Sequence, residues 1–268
     1  MKIRDFYALA PEVGPAMLEL HEKAADTCEA RFKDPRMQAM IREYLSDIEF
    51  PEGARVLEIG CGVGAVTCTL AQWPKVAHAT GIDRSKIFIA RAHKLAQGVR
   101  NVSFEEGDGR HTRFAAETFD IVVLHTVICH VLEPEQVIAE AFRVMRPGGW
   151  LAVFDADDAT VATGNCDPLQ ACIDVLPVQN PGLTRRLPSM LEDCGFKALP
   201  MRGHGYVEAA EGGLMLTWID RGADALVRNG RIGNELSEAL RGEAKRRSAS
   251  RSWFGQISFF SALGRKPA

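Results

Sequence analysis

The run VLEIGCGVGAVT, residues 56–67, constrains this chain more than any other stretch. An apolar segment meets three closely spaced glycines and then a second apolar segment, which reads as a strand, a tight turn and the first turns of a helix. Glycine serves where the backbone must turn left-handed or approach a ligand closely. The same alternation then repeats. Val76–Asp83, Val102–Glu105, Phe119–Leu124 and Trp150–Phe154 read as strands, and Arg84–Gly98 and Glu133–Met145 as helices. Strands spaced by helices at this pitch predict a parallel sheet covered on both faces.

The flanks read differently. Residues 14–30 look helical, and Met37, Met40, Ile41, Tyr44 and Leu45 recur at helical spacing before Pro51-Glu52-Gly53 closes the segment. Beyond Asp155 the pattern loosens. A helix is expected over Leu187–Cys194, a strand or strand pair over Phe196–Val207, helices over 212–247 and a last strand at Ile257–Ala262. No internal repeat is present. The division is therefore a helical cap at 1–50, a ligand-binding core at 51–155, and the rest of the sheet with substrate-cap insertions at 156–268, together one structural domain.

Gly60-Cys61-Gly62-Val63-Gly64-Ala65, with Asp83 further on, formally fits a dinucleotide fingerprint and by itself suits a nicotinamide oxidoreductase. Glu58 argues otherwise, because a carboxylate repels a pyrophosphate but favours a cationic amine or sulfonium. The net charge of −3 disfavours a nucleic-acid binder working through bulk phosphate attraction. Seven scattered cysteines without a CxxC pair read as reduced thiols. The first 14 residues lack an apolar leader and no run of 18 apolar residues occurs, so a cytoplasmic protein without a membrane span is expected.

In order along the chain, VLEIGCGVG, GIDRS (81–85), EEGDGR (105–110), FDIVVLHTVICHVLEP (119–134) and RVMRPGGWLAVFD (143–155) resemble the motifs of class I S-adenosylmethionine-dependent methyltransferases. The texture is similar to the small-molecule branch that includes ubiquinone and menaquinone biosynthesis enzymes. The resemblance covers about residues 53–155 and implies a Rossmann-like, seven-stranded, mostly parallel α/β sheet with helices on both faces, N-terminal helices and a C-terminal helical cap. It implies S-adenosylmethionine as cofactor, S-adenosylhomocysteine as product, and a small metabolite, quinone-like or secondary, as methyl acceptor at O, N or C. Homodimerisation is left open.

The resemblance also implies roles by position. Gly60, Gly62 and Gly64, with Cys61 beside them, let the backbone approach the methionine moiety. Asp83 accepts the ribose hydroxyls, next to Arg84. Asp108 meets the adenine amino group in a loop kept open by Gly107 and Gly109. His125 and Thr126 lie under the methionine end, and Glu58 lies on the ligand side of the turn. For proton transfer the candidates are His125, His130, Asp155 and His204, with Asp157 and Asp158 read chiefly as a helix cap or solvated turn. Tyr206 and Trp218 read as core, KRRSASR (245–251) as a solvated helix end, and the spacing of His125 and His130 as no metal site. The alternatives are a cofactor-binding protein of this fold catalysing a reaction such as cyclisation, or the oxidoreductase.

Overall fold

In the computed structural model, which describes residues 15–164, 167–176, 180 and 182–268, the alternation closes into one sheet. The leader reading of residues 1–14 and Cys166 lie outside the described residues. Strands β1 (Ala54–Ile59), β2 (Val76–Asp83), β3 (Val102–Glu106), β4 (Phe119–His125) and β5 (Met145–Ala162) run parallel in the order β3-β2-β1-β4-β5. The last segments, β6 (Lys197–Ala198), β7 (Arg202–Ala210) and β8 (Trp253–Arg265), complete it. β8 runs antiparallel to β5, and β6 and β7 both pair antiparallel with β8. The eight segments thus fill seven sheet positions, because β6 and β7 are one interrupted strand. The break coincides with a one-residue register shift: Leu199 N still donates to Leu263 O at 2.8 Å, in step with Lys197 opposite Arg265, but from Arg202 opposite Ser261 the pairing is displaced by one residue.

Period-two alternation sorts the strand residues onto two faces. Val56, Ile121, Val123, Ala152 and Phe154 face one core, where α2 (Pro35–Ser46), α3 (Ala65–Ala71) and α8 (Leu214–Arg228) pack. Leu57, Ile59, Val122, Leu124, Leu151 and Val153 face the other, covered by α5 (Pro134–Val144) and α7 (Leu187–Asp193). Each large apolar side chain fully buried there contributes about 1.5–3 kcal/mol, so the sheet is held from both sides.

Local signals explain the ends. Asp34 caps α2 by accepting from Arg36 N at 2.8 Å, with Pro35 in the first turn. α1 (Pro15–Lys33) precedes it, while α4 (Lys86–Leu95) starts at the Ser85 cap. In the cap region, α6 (Gln170–Asp174) and α9 (Asn234–Ala249) pack on α8. Gly222 of α8 passes so close to the Cys172 backbone of α6 that a side chain at 222 would overlap it.

One expectation is corrected. β5 does not stop at Asp155 but runs on to Ala162, because β8 supplies an antiparallel partner that the parallel strands lack. Asp155 faces Phe260, Asp157 faces Ser258 and Ala162 faces Gln256, with a register shift between Asp157 and Ala162. Asp157 and Asp158 therefore stand on a strand rather than at a helix cap. KRRSASR, by contrast, ends α9 in surface ion pairs such as Arg246–Glu243.

Candidate active site

The glycine turn is tied to the neighbouring strand before any ligand arrives. Gly60 N and Cys61 N both donate to Ile82 O, at 2.8 and 2.9 Å, and Gly62 N donates to Asp83 Oδ2 at 2.9 Å. Gly60 has φ +73° and its hydrogen faces Val127, where a Cβ would approach a methyl carbon to 2.6 Å. Gly62 also has positive φ, +53°, but nothing lies within 4 Å of the place its Cβ would take. That open side faces a cavity of about 600 Å³ at the carboxyl ends of β1, β2, β4 and β5, lined there by Gly60, Asp83, His125 and Asp155. Gly64 opens α3 in the left-handed region. Cys61 is buried beneath the turn, and burial pushes its thiol well above its usual range.

Carboxylates surround this end of the cavity in three different states. Glu58 is buried and accepts the Thr67 hydroxyl. Its burial, with Asp83 adding to it and the Thr67 bond opposing, raises it to about 8. Asp83 accepts Gly62 N and Ser85 N. Burial raises it to about 6 against those bonds and the Arg84 charge. Each Asp83 oxygen spends one acceptor site on the turn and keeps another for a ligand. Asp108 accepts Arg110 N at 3.0 Å and the Arg110 guanidinium at 2.7 Å, with Arg84 3.6 Å away. Burial pushes Asp108 up, but these cations and hydrogen bonds prevail and hold it below the usual carboxylate range. A ligand amino group at Asp108 meets a carboxylate already engaged by Arg110. Gly107 and Gly109 line the cavity in the same loop.

The proton-transfer candidates separate. His125 stacks on Phe154, ring centroids 4.8 Å apart, and its Nδ1 lies 3.1 Å from the Tyr44 hydroxyl. Burial, with the Arg31 charge, holds it well below the ordinary histidine range, so it stays neutral. Thr126, at φ +55°, is fixed by its N–H to Phe154 O and by the Arg31 guanidinium, which donates to its hydroxyl at 2.7 Å. His130 ends the short 3₁₀ turn Ile128–His130 on the cavity wall. Burial lowers it, Asp155 opposes, and Arg31 and Arg221 add to the lowering. Asp155 lines the cavity with both oxygens in use, one accepting Cys129 N at 3.2 Å and the other Ala156 N at 2.9 Å.

The structure takes His204 out of this set. It sits on β7, across β8 from β5, with Nδ1 3.2 Å from Glu43 and Nε2 2.9 Å from the Ser261 hydroxyl, and it does not line the cavity. Tyr206 is equally remote, packed in the core with its hydroxyl donating to Asp34. Asp157 is held by Arg185 at 2.7 Å. Asp158 alone of the DADD cluster has a buried oxygen, Oδ2, without a hydrogen-bond partner, and it lines the cavity. Sequence reasoning missed Arg31, Tyr44 and Arg221, while Trp218, read as core, packs against the core cluster and lines the cavity as well. Arg31 carried a signal, being a cation on the otherwise apolar α1 stripe of Ala24, Ala25, Cys28 and Phe32. Among the described residues no cluster of His, Cys, Asp and Glu is arranged to hold a metal ion, and no helix is long and apolar enough to cross a membrane.

A methyltransferase-domain family model matches residues 57–153, from the strand before the glycine turn to the middle of β5. The chain is 28% identical to the methyltransferase GfsG of Streptomyces halstedii over 58% of this chain and 57% of that protein. It is 34% identical to a ubiquinone biosynthesis O-methyltransferase of Aeromonas salmonicida over 36% of this chain and 41% of that one. Residues 57–153 thus match a methyltransferase domain, and these relatives support a likeness to the class I S-adenosylmethionine-dependent methyltransferases. The chain spans about half the length of these curated relatives, 57% of one and 41% of the other. In fold the chain is similar to the YcgJ protein of Bacillus subtilis, with a TM-score of 0.61 and 19% identity over 86% of this chain and 99% of that one. It is similar also to the [4+2]-cyclase SpnF, at TM-score 0.57 and 19% identity over 87% and 82% of the two chains. The residues present fit the family's cofactor, S-adenosylmethionine. Gly62 offers an open backbone cradle, Asp83 keeps two unused acceptor sites, and the cavity is of ordinary ligand size.

Proposed function

We propose that this protein transfers a methyl group to an O, N or C atom of a small metabolite, of quinone-like or secondary-metabolite type, in the cytoplasm. One observation carries the reading. A single cavity joins the glycine turn and Asp83 at one end to Asp158, His130 and Trp218 at the other. Two ligands in line, a methyl donor and its acceptor, need such a continuous space.

When bound, S-adenosylmethionine supplies an electrophilic methyl on a sulfonium, so the protein's share is alignment, exclusion of water and removal of a proton where the acceptor carries one. Gly60, Gly62 and Asp83 hold the donor. α1 and α2, through Cys28, Arg31, Met37 and Ile41, wall the cavity against water, which suits residues 1–50 to a cap. Asp158 is the group best suited to take a proton. Burial beside Asp155 and Asp157 raises it to about 7, with Arg31 opposing, and its Oδ2 has no donor of its own. A base poised near neutral pH is the useful kind. His125, neutral and stacked between Tyr44 and Phe154, forms the floor instead.

The test has two arms. S-adenosylmethionine and S-adenosylhomocysteine should each raise the thermal midpoint, and NAD and NADP should not. With an accepted metabolite, S-adenosylhomocysteine should form in step with methylated product. Stabilisation by NAD alone refutes the reading, and cofactor binding without turnover across a broad acceptor panel points to a different reaction in the same cavity.

A further inference from the structure

The acceptor end of the cavity contains a guanidinium that pairs with no counter-charge among the described residues. Arg221 projects from α8 onto the cavity wall, one helical turn after Trp218. Among the described residues it makes no salt bridge or hydrogen bond, whereas the cavity's Arg84 and Arg110 both reach Asp108. The acids sharing its end of the cavity do not reach it either. Asp174 accepts from Gln170 at 3.0 Å, Asp155 is held by backbone N–H groups, and Asp158 has an oxygen with no donor at all. Arg31, the neighbouring cation, is directed to the Thr126 hydroxyl at the methionine end. Burial lowers His130 and raises the Cys28 thiol, and the charge of Arg221 adds a little to the first shift and opposes the second. The cavity wall also carries apolar side chains, Trp218, Ile173, Leu176 and Val161, beside these polar groups. A half-buried cation in apolar surroundings gains from an anion brought to it.

α8 is held in this place firmly. Gly222, the residue after Arg221, lets α8 press against the α6 backbone at Cys172, which sets the position of the Arg221 backbone relative to the cavity. The same cavity is lined by Asp158, on the extension of β5, whose Oδ2 has no hydrogen-bond partner among the described residues.

Resting on the methyl-transfer reading, we propose that the acceptor is a flat, largely apolar molecule bearing a carboxylate, which Arg221 binds while a hydroxyl of the same molecule donates to Asp158. One guanidinium fork matches one carboxylate. Trp218 and the aliphatic wall take the apolar body. Arg221 is then the residue that selects acidic acceptors over neutral ones of the same shape.

The experiment uses the full chain saturated with S-adenosylhomocysteine and reads binding by calorimetry. The probes are 4-hydroxybenzoate, 4-hydroxyphenylacetate and 4-hydroxycinnamate, each beside its neutral methyl ester. At least one acid should bind tenfold or more tightly than its ester. In Arg221→Met that preference should fall below twofold, with S-adenosylhomocysteine affinity within twofold of wild type, a second readout that also reports folding. Arg221→Gln serves if the methionine variant is unstable. Absence of binding by every probe, equal binding of acid and ester, or a preference that survives in the variant overturns the proposal. So does a selective loss of S-adenosylhomocysteine affinity in the variant, since Arg221 would then serve the cofactor. If the wild type does not bind S-adenosylhomocysteine at all, the methyl-transfer reading itself fails, and that outcome is distinct from the others.

Discussion

The two ends of the cavity are built by different means. At the cofactor end the turn from Gly60 to Gly64, Asp83 and Ser85 lock together over a short span, chiefly through backbone groups. At the acceptor end the wall comes from α6, α8 and the far part of β5, through side chains such as Trp218, Arg221 and Asp158. Backbone geometry tolerates few substitutions, while a wall of side chains can be rewritten one residue at a time. A shared methyl donor and a variable acceptor suit that division.

Substitutions can break this comparison or sharpen it. The largest effect on turnover is expected at the acceptor end. Asp158→Asn should lower turnover about 100-fold or more while S-adenosylhomocysteine affinity stays unchanged. In the wild type, the base must be deprotonated, so turnover should climb as pH rises through about 7. Equal losses of affinity and turnover would assign Asp158 to the cofactor end instead. Asp83→Ala should do the reverse, weakening S-adenosylhomocysteine binding by about 1–3 kcal/mol in calorimetry. Unchanged affinity would remove Asp83 from the ligand.

Glu58→Gln tests the buried acid under the turn. Its folded-state value, about 8, lies above the ordinary 4.5, so the fold holds this proton more tightly than the unfolded chain does. The stability linked to it is fully present below pH 4.5 and is lost as pH rises toward 8. The glutamine variant should therefore gain about 5 kcal/mol over wild type at pH 9 in denaturant titrations and nothing at pH 4. No gain at high pH would mean that Glu58 is ionised in the folded protein. The smallest functional effect is expected at His204. His204→Ala removes its bonds to Glu43 and Ser261 and should cost about 1–2 kcal/mol of stability, with turnover within twofold of wild type. A large loss of turnover would restore His204 to the site.

The parallel strand and helix alternation and the glycine turn were legible because their signals are local. Alternating apolar runs, three glycines and an acid at the end of a strand lie within a few tens of residues. Arg31 and Arg221 were not legible as partners in one cavity, since nothing in either neighbourhood names a residue 190 positions away in the chain. The continuation of β5 was hidden for a similar reason. DADDATVA reads as a polar loop until β8 lies beside it and accepts its ladder.

What the chain determines by itself is the parallel core and the seat of the cofactor, since strand pattern and turn chemistry act over neighbours in sequence. What only the tertiary structure decided is which distant side chains share the cavity. The register of β7 against β8 pairs His204 with Phe259 and buries it toward α2. A shift of one residue would turn the histidine to the opposite face. The close approach of α8 to α6 at Gly222 brings Trp218 and Arg221 into the acceptor wall. Both outcomes depend on packing between segments far apart in the chain, and packing of that kind leaves no periodic trace in the sequence.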